Sequence, residues 1–165
     1  MKAKLKQEVE NTFAALYQTI SLFDQSKINI IPFEGSWTPG QVVRHIIKAT
    51  SGFKKVCDGN TKKLENAIDE KIPVLKDIFL NFNTKYDSPD FIYPEDREYD
   101  KIELTSRLQK IESEILDIVA NYDLSLTCLD FEIPGIGTLT IYELINFAIF
   151  HTTRHTHQLK VIFEK

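Results

Sequence analysis

Between Thr140 and Phe163, the residues Leu144, Ala148, His151, His155, Gln158 and Ile162 follow one another at intervals of 4, 3, 4, 3 and 4. That interval pattern is the seam of a helix packed lengthwise on other helices. The six side chains therefore face an interior, and the chain must supply partner helices to build it. The middle of the seam is His, His and Gln, where an ordinary core would hold apolar groups. An imidazole buried without partners costs roughly 1–3 kcal/mol for each unsatisfied group.

The partners are legible upstream. Leu5, Val9, Phe13, Leu16, Ile20 and Phe23 recur by threes and fours and predict a first helix over 4–24. Thr38, Pro39 and Gln41 form a capping box with proline at the first helical position. They open a second helix predicted to run to about Gly59, with Val42, His45, Ile46, Ala49 and Phe53 on one side. A weaker helical patch over 64–82 is broken by Pro73. Residues 83–98, with Pro89 and Pro94, read as an irregular crossover; Tyr86, Phe91 and Tyr93 are expected to cover the core. Asp100 with Glu103 caps a third helix to about Asn121, and Thr140 with Glu143 caps the fourth. The expected fold is all-α: a single-domain antiparallel four-helix bundle over 1–165, with a long crossover before the third helix.

Composition narrows the function. Hydrophobic residues at 42% and charged residues at 27% suit one ordinary globular core. A net charge of −4, with basic residues scattered among acids, argues against nucleic acid as a partner. The lysines of the opening MKAKLKQEVENTF have no apolar stretch behind them, and no run is long enough to cross a bilayer. A cytoplasmic protein with no membrane partner is expected. Cys57 and Cys128 form no CxxC pair and lie beside apolar segments, so both are read as buried structural thiols.

Three of the four histidines occupy inward helical positions. His151 and His155 sit one turn apart on one face, the spacing at which two imidazoles grip one ion. His45 lies in the apolar stripe of the second helix. His157 is roughly 160° around the helix from His155 and is expected to point outward. Spacing alone leaves two readings open: satisfied core histidines, or ligands of a shared divalent metal. Gln158 is placed to hydrogen-bond a ligating imidazole or a backbone group. Arg44 and Arg154 each adjoin a candidate ligand, and either frame a pocket mouth for an anionic substrate or thiol, or form surface salt bridges. Trp37 reads as a packing anchor before the helix cap.

The segment WTPGQVVRHIIKATSGF resembles the second-helix motif of the DinB-like superfamily. GIGTLTIYELINFAIFHTTRHTHQLKVI resembles its fourth-helix motif, built on HxxxHxxQ, and KYDSPDFIYP is similar to the crossover of a subgroup. The position after Glu143, often Trp in relatives, is Leu144 here. The resemblance implies a DinB/YfiT-like bundle with one divalent metal held by His45, His151 and His155, and often a homodimer. It implies a small-molecule substrate and an enzyme related to bacillithiol S-transferases, acting as a thiol transferase or a metal-dependent hydrolase, with a low-molecular-weight thiol as possible co-substrate. A metal-binding or stress-associated protein without turnover is the alternative. Imidazole ligands do not select among Zn, Ni and Fe.

Overall fold

The capping box at Thr38 forms as read: the Gln41 amide donates to Thr38 Oγ1 at 3.1 Å, and the Thr38 amide donates to Gln41 Oε1 at 2.9 Å. In the computed structural model, which describes residues 1–165, this box opens α2, Pro39–Thr50. It is preceded by α1, Lys2–Ile20, which buries Leu5, Val9, Phe13, Leu16 and Ile20 as one stripe. Phe23, expected within that helix, is buried on the turn beyond it.

The second helix does not run unbroken to Gly59. It stops at Thr50, and Gly52, at φ 87°, starts a separate helix α3, Phe53–Asp58. Only glycine takes that left-handed conformation without steric cost. The patch over 64–82 condenses to α4, Ile72–Phe79. Pro73 sits in its first turn and starts the helix, because a proline's missing N–H has no partner to lose there. One turn of 3-10 helix, Asp90–Ile92, punctuates an otherwise irregular crossover. Then α5, Lys101–Asn121, is capped by Asp100, whose Oδ1 accepts from the Glu103 amide at 2.8 Å. Thr140 and Glu143 form a second complete capping box and open α6, Ile141–Phe163.

The all-α expectation needs correction. The chain is predominantly helical but also carries a three-stranded antiparallel sheet: β1, Thr61–Lys63; β2, Leu126–Ile133; and β3, Gly137–Thr140, in the order β1-β2-β3. Cys128 pairs with Thr61, and Ile133 with Gly137. Gly135 and Gly137, both at positive φ, turn the β2–β3 hairpin where a plain loop was expected.

A cluster of 32 buried apolar residues forms the core. Helix α1 packs on α5 and α6, and α2 packs on the same two. The β2–β3 hairpin contacts α6 and leads directly into its capping box. No helix is long and apolar enough to cross a membrane. The crossover lies across α2: Lys48 Nζ donates to the Tyr93 carbonyl at 2.7 Å, and Arg44 pairs with Glu95. Asn29 brackets Tyr99, accepting from its amide at 2.8 Å and donating to its carbonyl at 3.0 Å. These bonds hold the far end of the crossover beside the histidine positions.

Candidate metal centre

The packing of α2 on α6 brings His45 against His151 and His155. Ring centroids lie 4.8 Å apart for His45–His151, 4.5 Å for His45–His155 and 4.5 Å for His151–His155. One ring nitrogen from each lies within 4.8 Å of the other two. His45 and His151 are each 3% exposed, and His155 is half-buried.

The surroundings set the tautomers. A backbone carbonyl can only accept, so His45 Nδ1 carries the proton that reaches Ile92 O at 3.0 Å. By the same logic His155 Nδ1 donates to Gln158 Oε1 at 2.7 Å. Each ring is thereby left with an Nε2 lone pair. His45 Nε2 faces His151 Nε2 at 3.0 Å, and His151 Nδ1 is buried without a partner. No tautomer of His151 satisfies both of its nitrogens within the protein.

Burial keeps all three imidazoles neutral. Desolvation, followed by the neighbouring imidazoles, pushes His155 down to about 3 and holds His151 well below the ordinary histidine range. Desolvation also lowers His45, against the raising effect of its bond to the Ile92 carbonyl. Neutral imidazoles with free lone pairs are what a divalent ion requires. The donor set, the outward-held Nδ1 protons and the unsatisfied His151 nitrogen all fit a metal ion, and the triad could hold one.

The other expected residues divide. Gln158 stands against His155, as its spacing allowed. Arg44 does not face the cavity that meets the histidines: it forms a bidentate pair with Glu95, at 2.8 and 3.0 Å. That pairing raises the Arg44 pKa and holds the Glu95 carboxyl below its usual range. Arg154 does line the cavity, but its guanidinium makes no surface salt bridge. It donates to the carbonyls of Asn81 (2.8 Å), Ile78 (3.4 Å) and Thr84, and lies over the Tyr86 ring. His157 is exposed, stacked on Phe82 at 4.3 Å, outside the triad but at the same cavity.

Sequence reasoning missed which residues form the walls. The cavity, about 930 Å³, is bounded by Trp37, whose ring lies 5.0 Å from His45, and by Phe79, 5.7 Å from His151. Tyr86, Phe91 and Tyr93 do not cover the core; they line this cavity and remain 54%, 59% and 52% exposed. The Ile92 carbonyl and Ser88 Oγ, 3.4 Å from His45 Nδ1, were also missed, since nothing in local spacing points at a main-chain acceptor 47 residues away. The available signal was the density of aromatics in the crossover.

Both cysteines are buried and free, and neither borders the cavity. A hydrogen bond to the Cys128 thiol, together with burial, raises the Cys57 pKa, which disfavours a thiolate nucleophile there. No curated protein and no solved structure matches the chain. A family model does, over residues 8–159. Nearly the whole chain is thus accounted for, from the first helix through both histidine-bearing helices, and the protein belongs to the DinB superfamily.

Proposed function

We propose that this protein is a metal-dependent enzyme of the thiol-transferase or hydrolase type, built on an antiparallel four-helix bundle of α1, α2, α5 and α6. The single observation that carries this reading is the convergence of three neutral imidazoles at one cavity wide enough to admit a substrate beside them. A structural metal site is normally closed by protein ligands, whereas three ligands beside an open space leave a position for reactant.

His45, His151 and His155 would hold the ion, with Ile92 and Gln158 fixing the first and third rings through their Nδ1 protons. A divalent ion bound by neutral ligands keeps its full charge and supplies Lewis acidity, lowering the pKa of a thiol or water beside it. In thiol transfer the co-substrate, of the bacillithiol class, loses its S–H proton to solvent. Its sulfur forms a bond to an electrophilic carbon, and the leaving group departs with its electron pair. In hydrolysis water takes the place of the thiol. Trp37 and the crossover aromatics would exclude bulk water from the reacting atoms. A cytoplasmic homodimer acting on a small molecule completes the reading.

The test is a panel of bacillithiol, glutathione, coenzyme A and cysteine with a chlorinated aromatic electrophile, run beside ester and amide substrates. Metal-dependent conjugation that collapses in His151→Ala is the expected result. Metal-dependent hydrolysis without thiol transfer would select the hydrolase form. Silence in both, with stoichiometric metal bound, would favour a metal-binding or stress-associated protein without turnover.

A further inference from the structure

A thiol or a water needs only a small part of the space beside the triad. A water molecule's share of liquid volume is roughly 30 Å³, against about 930 Å³ here. That volume lies near the top of the range, roughly 300–1,000 Å³, of sites that enclose drug-sized molecules. The wall is aromatic on several sides. Trp37 and Tyr93 meet edge to face at 5.3 Å, and Phe79 and Phe147 do so at 5.2 Å. Phe82 and Phe91 also line the space and are 43% and 59% exposed. Large aromatic side chains held in water are a cost that a bound apolar group relieves.

Two of the three lysine and arginine side chains on the lining are already engaged, and the third, Lys85, is exposed on the crossover. Lys48 donates to the Tyr93 carbonyl and to Glu95, and Arg154 donates to three main-chain carbonyls. Those two charges steady the walls, so what the cavity chiefly offers a ligand, Lys85 aside, is apolar contact.

We infer that the cavity seats an apolar, aromatic-ring-bearing substrate body, with its reactive end toward His45, His151 and His155. Only the orientation of that reactive end rests on the metal-centre reading; the apolar seat stands on the wall residues themselves. Ring faces and edges at 4.5–7 Å centroid spacing are favourable partners for a further ring, and the lining aromatics can provide them on more than one side.

The chain has one tryptophan, Trp37, and it lines the cavity, so its emission reports occupancy. Titration with the neutral probe N-phenyl-1-naphthylamine should quench that emission with a Kd of about 10 μM, in protein with and without zinc. Sucrose, of comparable bulk but polar and without aromatic rings, should leave it unchanged. Phe82→Ser and Phe91→Ser alter exposed side chains, and each should weaken probe binding about five- to tenfold at unchanged thermal midpoint and metal content. His151→Ala should keep probe affinity within about threefold while losing metal, since it leaves the aromatic walls in place. Absence of probe binding in the wild type, equal binding of sucrose, or unchanged affinity in both wall variants would overturn the inference. Probe binding intact in wild-type protein that takes up no zinc would instead remove the metal-centre reading and leave this one standing.

Discussion

At the scale of single residues, His151 and His157 make the sharpest contrast. They are six positions apart on one helix, yet His151 is buried against two other imidazoles while His157 stands in solvent on Phe82. His45→Ala, His151→Ala or His155→Ala should each reduce bound metal to well below one equivalent by elemental analysis, and His157→Ala should leave it near one. The reverse pattern for residues 151 and 157 would dismiss the proposed ligand set. The same burial predicts a pH dependence for the metal-free protein. His155 titrates near 3 when folded and near 6.5 when unfolded, so between those values the unfolded chain binds more protons. Stability therefore falls as pH drops below about 6.5, by about 2 kcal/mol at pH 5 from this group. Denaturant midpoints at pH 7.5 and 5 should show that loss, and His155→Gln should shrink it; an equal loss in the variant would refute the assignment.

At the scale of elements, the crossover and the helices it spans act together. Arg154 on α6 satisfies carbonyls at the end of α4 and just beyond it, a junction that no other charged side chain ties. Hydrogen bonds from a charged donor contribute more than neutral ones, and a carbonyl stripped of its donor is left to water or to nothing. Arg154→Ala should lower stability by about 1–3 kcal/mol and raise amide exchange over 78–86, with metal content unchanged. Unaltered exchange there would mean that the guanidinium is not what holds the segment. The capping boxes at Thr38 and Thr140 were legible because their chemistry is local: a hydroxyl and a carboxamide or carboxylate three residues apart. The break at Gly52 and the helix start at Pro73 were misread for a related reason. Glycine and proline mark where regular structure can change, while packing decides whether they end an element or begin one.

At the scale of the whole molecule, exposed apolar side chains gather near the cavity mouth and on the neighbouring loop, where Ile30 and Ile31 are 57% and 63% exposed and Phe33 lines the cavity. Ile30 and Ile31, outside the cavity lining, give the proposed homodimer a surface to bury, and light scattering should return twice the 19.1 kDa chain mass. A 19.1 kDa species at high concentration would remove that proposal. Much of the architecture follows from the sequence by itself. Helical periodicity places α1, α2, α5 and α6, and the interval pattern of α6 turns His151, His155 and Gln158 to one face, because both depend on residues within a few turns of each other. The sheet, the walls and the tautomers were decided only by tertiary structure. Strand β2 mixes apolar residues with Thr127, Asp130 and Glu132, and its partners lie 67 positions upstream, at Thr61, and across a hairpin, at Gly137. The Nδ1 proton of His45 is fixed by a main-chain carbonyl from the crossover, whose position no local pattern encodes. Contacts between distant segments depend on how the whole chain closes, and that is where this site acquires its open cavity.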